Sequence, residues 1–344
     1  MLHDELGSLA THFASPHITE VMVNNETSVF VEDHTGMHYV GELHPGELHA
    51  IVERILLPLG KRLDRVSPIV DARLRDGSRL CAVIPPVSPH GMCVSIRRFT
   101  QETLSLQHFA EDPVVQLLLQ AVHNRCNIVV SGKAGSGKTS LLNVLCSHMN
   151  STERVVTIED VRELALTLPN AVQLETRPNT PEGLAGVNMT DLVRTALRLR
   201  PDRIIVGEIR EPRGASVMLQ AANTGHDGTM TTIHANSADR ALNFRMVGFA
   251  RTGSSMTAEV AAAEVSSAIN LVVQVVRRAG RRFITEIAVV DPSMLHAGLI
   301  SPVHIFKGEL IDGKPTFKRC GAVNGDSELG MKLDDKGLLG KWDL

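Results

Sequence analysis

The sequence predicts an α/β protein in two parts, a helix-wound parallel sheet built around a phosphate-binding loop and, ahead of it, a smaller α+β domain. Two observations carry that expectation. From residue 112 onward, short β-branched runs alternate with helical stretches, the rhythm of a parallel sheet. Between the first run and its helix stands GKAGSGKT, a match to G-x-x-x-x-G-K-[ST] over residues 132–139. The first hundred residues read instead as hairpins around one helix. A chain of 344 residues is long enough for two domains. They are expected at 1–105 and 112–344, with the polar stretch 100–111 as the boundary.

Taken in order, TEVMVNNETSVFV (19–31) alternates Val21, Val23, Val29 and Val31 around a polar turn and reads as a hairpin. Pro45 opens PGELHAIVERILLPLG, where Leu48, Ile51, Val52, Ile55 and Leu56 recur at helical spacing until Pro58 and Gly60 stop it. LCAVI and MCVSI follow as two strand-like runs separated by Pro85, Pro86, Pro89 and Gly91. In the second part NIVVS precedes a helix over 138–149, RVVTIE precedes a loop, RIIVGE precedes a helix over 212–223, and TMTTIH precedes one over 237–250. The last forty residues define no element.

Composition narrows the function classes. Hydrophobic residues at 43% and charged residues at 21% are those of a folded globular chain. Lys+Arg 35 against Asp+Glu 38, net −3, leaves no excess positive charge for binding a nucleic-acid backbone. Aromatics are 3%, with Trp342 and Tyr39 the sole members of their types, so base stacking has little material. Direct nucleic-acid binding is not expected. Five cysteines without a CxxC pair support neither a zinc ribbon nor a disulfide framework and fit a reducing cytoplasm. No apolar run approaches the ~18 residues of a transmembrane helix, and the N-terminus has no leader pattern, so any membrane association is expected to be peripheral.

The loop carries the chemistry. Gly132, Gly135 and Gly137 let the backbone turn tightly enough to aim N–H groups at phosphate oxygens, and the following helix adds its positive end. The cradle is Gly132, Lys133, Ala134, Gly135, Ser136, Gly137, Lys138, Thr139 and Ser140. Lys138 would reach the β- and γ-phosphates, and the Thr139 hydroxyl would hold Mg²⁺. Glu159 and Asp160 end one β-branched strand and Glu208 ends another, which sets carboxylates at the sheet edge where ligands bind in open α/β folds. One can hold the metal's water shell while another orients attacking water. Strand-end acids also serve as plain helix caps, and the P-loop is what weighs against that here. His226 and His234 bracket the strand TMTTIH. A histidine is commonly structural, and with Asp227 the pair lacks a third ligand spaced for zinc.

Six segments together, SPIVDARLRDGSRL, SIRRF, SGKAGSGKTSLLN, TIEDVREL, LRLRPDRIIVGEIR and NTGHDGTMTTIHANS, resemble the secretion ATPase superfamily of type II and type IV secretion and type IV pili. The likeness runs from about residue 18 to 290 and is nearest to the tight-adherence pilus assembly ATPases and their conjugation-type relatives. In that family these segments are the N-domain arginines, Walker A, an acidic box, an atypical Walker B and a histidine box. The resemblance implies a RecA-like P-loop domain that hydrolyses ATP with Mg²⁺. It also implies a homo-hexamer, cytoplasmic and peripheral to the inner membrane, that powers a platform protein of a pilus or secretion system. By the same resemblance Glu159 is the catalytic base and Glu208 the Walker B acid, acting on Mg²⁺ partly through water. His234, and His226 with it, sense the γ-phosphate. Arg79 and Arg97 close over the nucleotide, with Arg73, Arg98, Arg194 and Arg200 as competitors. The tetracysteine module of type II secretion ATPases is absent from the sequence, which argues against that branch. A RecA-like nucleic-acid motor, a helicase or DNA-transfer ATPase, shares the loop and the strand-end acids and is the alternative.

Overall fold

The computed structural model describes residues 5–33, 35–98, 104–177, 185–278, 280–311, 314–323, 330 and 332. The chain divides into two compact units, Met1–Thr103 and Leu104–Leu344.

The first unit is one antiparallel sheet of strands β1 (Glu20–Asn24), β2 (Ser28–Asp33), β3 (Gly36–Glu42), β4 (Ile69–Arg73), β5 (Arg79–Val83) and β6 (Cys93–Arg97), in the order β3-β2-β1-β6-β5-β4. Alternate residues are buried, as period-2 side-chain placement requires: Val21, Val23, Val29, Val31, Leu80, Ala82, Val94 and Ile96. They meet the apolar stripe Leu48, Ile51, Val52, Ile55 and Leu56 of a helix that runs from Glu47 to Leu56, and a short helical turn ending at Phe13 closes the same core. The expected hairpin is β1–β2, with Asn24 opposite Ser28, and LCAVI and MCVSI pair as β5 and β6. Strands β3 and β4 flank them and have no counterpart in the sequence reading.

The second unit is a nine-stranded sheet in the order β17-β16-β13-β12-β7-β11-β10-β8-β9. The strands β7 (Ile128–Gly132), β8 (Val155–Glu159), β9 (Ala171–Glu175), β10 (Arg203–Ile209), β11 (Met230–His234) and β12 (Leu271–Arg278) run parallel. An antiparallel extension follows, β13 (Arg281–Val289), β16 (Val303–Ile311) and β17 (Lys314–Arg319), beside a small two-stranded ribbon β14 (Leu295–His296) and β15 (Leu299–Ile300). Burial on both faces explains the continuous apolar runs of the parallel strands. Ile128 and Val130 face one core, with helices α1 (Asp112–His123) and α2 (Lys138–Ser147), while Val129 faces the other, with α3 (Met189–Ala196), α4 (Pro212–Asn223) and α5 (Ala258–Ala268). Register Ile128↔Met230↔Ile205 aligns the strands so that their C-terminal ends form one edge.

Candidate active site at the edge of the parallel sheet

Gly132 closes β7, and α2 begins six residues later at Lys138. Gly137 caps that helix with φ 99, a backbone conformation that a side chain would strain. Lys133, Ala134 and Gly135 are exposed, Ser136 is buried, and Thr139 and Ser140 are half-buried in the first helical turn.

Lys138 is buried, and its ammonium is held rather than solvated. Nζ donates to the Lys133 carbonyl at 3.1 Å, lies 3.2 Å from His234 Nδ1 and stands 4.0 Å from Glu208 Oε1. Burial lowers its pKa, and the Glu208 charge works against that fall. An ammonium has no lone pair, so His234 Nδ1 accepts from it. The ring proton is therefore on Nε2, which lies 2.8 Å from Glu208 Oε1. Burial, with Lys138 adding to it, lowers the His234 pKa, and this favours the neutral ring. The other oxygen of Glu208 takes Arg210 Nε at 2.6 Å, and Arg210 Nη1 reaches on to Asp160 Oδ2 at 3.7 Å. Lys138, His234, Glu208, Arg210 and Asp160 thus form one continuous chain of polar contacts from the phosphate loop across three strands. A cavity of about 320 Å³ opens beside it, lined by Asp160, Thr176, Arg177, Asn188, Glu208 and Arg210 among others.

Glu159 lies at the same edge but faces another way. It is 3% exposed, and its Oε1 accepts the backbone N–H of Glu163 at 2.8 Å and of Leu164 at 3.0 Å. Its Cγ occupies the space where a Cβ on Gly207 would fall, 2.8 Å away. In this conformation it braces the loop after β8.

His226 departs from expectation. The sequence brackets β11 with two histidines, yet the five-residue strand, which ends on His234, spans ~13 Å at 3.3 Å per step. His234 is at the C-terminal end with the phosphate loop. His226 is at the opposite end, where its Nδ1 meets the Ala221 carbonyl at 3.3 Å and its own carbonyl takes the Thr229 hydroxyl. The structure does not bring it to the site.

Arg79 and Arg97 belong to the first unit. They are directly opposite one another across β5 and β6, and Arg73 is opposite Arg79 across β4. The three form one row on the face turned away from that unit's core. Arg98 is committed elsewhere: it donates to the carbonyls of Phe13 and Ser15, and its guanidinium lies 5.4 Å from the Phe13 ring. Arg194 and Arg200 are exposed.

Sequence reasoning overlooked Arg210 and Arg245. Arg210 follows Glu208 by two residues, so the strand's own period puts both on one side, a signal that was legible. Arg245 stands on a π-helical stretch, Arg240–Met246, and donates Nε to the His234 carbonyl at 2.9 Å. Such stretches recur at functional sites but leave no trace in composition.

Comparison with known proteins bears on the family and the fold. The type II/IV secretion system protein family matches residues 4–297. A Mycobacterium tuberculosis protein named for conjugal transfer is 36% identical over 318 residues, 88% of this chain and 89% of that protein. The type IV secretion system protein PtlH of Bordetella pertussis is 33% identical over 295 residues, 77% of this chain and 87% of the relative. Among solved structures the pilus retraction motor PilT with bound ADP has a TM-score of 0.64 at 20% identity, covering 82% of each chain. That last likeness speaks for the fold and bears out the α/β, RecA-like architecture. A family match spanning most of the chain, with relatives above 30% identity over three quarters of it, decides the assignment: this protein belongs to the type II/IV secretion system protein family and is an ATPase of that family.

Proposed function

We propose that this ATPase works as a cytoplasmic homo-hexamer at the inner membrane, spending ATP to drive a platform protein in pilus assembly or type IV-type secretion. The observation that carries the reading is the contact chain from Lys138 through His234 to Glu208. It ties the phosphate-binding lysine to a strand-end carboxylate through one neutral imidazole. Phosphate oxygens arriving at the loop compete for the Lys138 ammonium, so His234 Nδ1 loses its donor when nucleotide binds. That makes His234 the residue whose environment reports the γ-phosphate.

Mg²⁺ fits the donor set. The ion prefers hard oxygen ligands and is commonly held by one or two carboxylates or hydroxyls together with substrate phosphates. Thr139 and Glu208 supply one hydroxyl and one carboxylate, Glu208 in part through water. Among the described residues no group of three or more His, Cys, Asp or Glu is placed to hold a metal by itself. When bound, the ion neutralises charge on the transferring phosphoryl group. Glu159 is the second carboxylate of the reading; Oε1 takes the amides of Glu163 and Leu164, and Oε2 is the oxygen that would orient attacking water. Arg79 and Arg97 supply positive charge to the γ-phosphate when a first unit closes on the nucleotide. Like charges directly opposite across a sheet cost stability, and an arriving anion offsets that cost.

Among the described residues no helix is long and apolar enough to cross a membrane. Phosphate release measured with and without DNA, beside sedimentation in Mg·ATP, tests the reading. Hexamers with DNA-independent turnover are expected. Turnover that requires DNA would overturn it in favour of a nucleic-acid motor.

A further inference from the structure

The strand-end groups assigned so far to the reaction all come from one flank of β7. His234 ends β11, Glu208 is on β10 and Glu159 ends β8, all on the same side of β7 in the strand order. Contacts with His234 and Glu208 hold the Lys138 ammonium toward that side. The γ-phosphate end of the nucleotide therefore belongs to this flank, and the α-phosphate and nucleoside belong to the other.

The other flank is β12 and β13, and it carries a feature with no role yet. β12 runs parallel to β7 with Gln274 opposite Ser131, so Val276 to Arg278 continue past the level of Gly132, where β7 gives way to the phosphate loop. The chain returns through Gly280 into Arg281 and Arg282. Arg277 is opposite Arg282, and Arg278 is opposite Arg281. Two like-charge pairs face each other across one hairpin, in a segment, residues 275–283, that contains no acid. Such pairs oppose strand association, and local rules broken in this way mark functional positions. Arg277, Arg278 and Arg281 are exposed, whereas Arg282 is half-buried against the phosphate loop. A Cβ on Gly137 would meet Arg282 Cδ at 2.6 Å and Nε at 3.3 Å. Gly137 is the residue just before Lys138, so the guanidinium stands beside backbone that cradles phosphate. A planar five-donor fork suits phosphate oxygens better than any other side chain.

We propose that Arg282 is a nucleotide-binding residue that holds the α-phosphate end of ATP and ADP from the β12–β13 flank. This rests on reading the loop as the ATP site. Because ATP and ADP share the α-phosphate, Arg282 contributes to affinity for both and little to the chemical step.

The test uses the full chain, a fluorescent ADP or ATP analogue with Mg²⁺, and steady-state turnover. Arg282→Met keeps the aliphatic stem against Gly137 and removes the charge. It is expected to raise Kd for ADP and ATP by the same factor, ~10–100-fold, the range of a lost charge-assisted contact. The kcat at saturating ATP should stay within about 3-fold of wild type, a split between affinity and chemistry that a merely structural role would not produce. Arg282→Lys should recover part of the affinity, and Arg278→Ala on the exposed tip should change neither constant. Wild-type Kd values in Arg282→Met overturn the proposal, as does weakened binding of ATP alone or a fall in kcat at unchanged Kd. In the wild-type chain, ADP should shield Arg282, and not Arg278, from an arginine-specific dicarbonyl reagent. Equal labelling of Arg282 with and without ADP also rejects it, whether or not the variants fold. A wild-type chain that binds no ADP rejects the site reading itself, which is a distinct outcome.

Discussion

His234 Nδ1 lies 3.2 Å from Lys138 Nζ while Nε2 of the same ring lies 2.8 Å from Glu208 Oε1, so one neutral imidazole joins the buried loop cation to the strand-end acid. In the proposed reading, Lys138→Ala removes the cation that meets the β- and γ-phosphates. Turnover should fall to background. The melting temperature should change little, because the ammonium's burial costs about what its contacts return. Phosphate release and a thermal melt on the same sample check both halves.

The His234 pKa is lowered below its ordinary value of 6.5, so protons bind the unfolded chain more readily than the native one. The stability this confers is fully present above pH 6.5. It declines as the pH falls from there to the folded pKa and is constant below it. His234→Gln should therefore lose less melting temperature than wild type between pH 7.5 and about pH 5.5. Parallel melts of the two proteins over that window decide the matter.

Glu208→Gln keeps the shape of the side chain but discharges it, and turnover should drop ~10²–10³-fold with nucleotide still bound, a loss typical of charge stabilisation at the reacting phosphoryl group. Glu159 separates two roles. Glu159→Gln retains an oxygen for the amides of Glu163 and Leu164 and should slow turnover with the fold intact. Glu159→Ala abandons those amides and should destabilise by about 1–3 kcal/mol as well. Calorimetry beside turnover distinguishes them.

Arg79→Ala and Arg97→Ala in the full chain should each lower turnover ~10²-fold with nucleotide affinity largely kept. Arg98→Ala should do the reverse. Its guanidinium holds the carbonyls of Phe13 and Ser15 and lies against the Phe13 ring, so the expected defect is about 1–3 kcal/mol of stability. Wild-type turnover in both Arg79→Ala and Arg97→Ala would remove the first unit from the reaction.

Arg203 is 1% exposed and pairs with Glu153 through Nε at 2.8 Å and Nη2 at 3.1 Å. Arg125 meets the same carboxylate at 2.8 Å. Arg203→Ala takes two buried donors from that carboxylate and leaves it Arg125 alone, so it should cost about 3 kcal/mol. Denaturant unfolding, read in the absence of nucleotide, measures it.

The phosphate loop and strands β7, β8, β10 and β11 were legible because their signals are local: a fixed spacing in one case and β-branched runs buried on both faces in the others. The relation between parts was not. His226 and His234 share one box in the sequence, and only the strand between them shows that they occupy opposite ends of the sheet. β3 exposes most of its residues and so carries no alternating pattern. The sequence RRAGRR carries no motif. Its place beside Gly137 comes from the pairing of β12 with β7, and no spacing within the segment encodes that register. Glu159 and Glu208 were found as strand-end acids, but the direction of the Glu159 carboxylate depends on backbone amides four and five residues away and that of Glu208 on the side chains of Arg210 and His234.

Gly207 links those two acids in a further way. Glu159 fills the room that a side chain at position 207 would need, and Glu208 is the next residue along the same strand. The two carboxylates are thereby geared together: Glu159 cannot swing out of its seat without opening a void beneath the backbone that carries Glu208. The interlock sits in the absence of a methyl group, so Gly207→Ala would jam it while leaving every charged residue of the site in place.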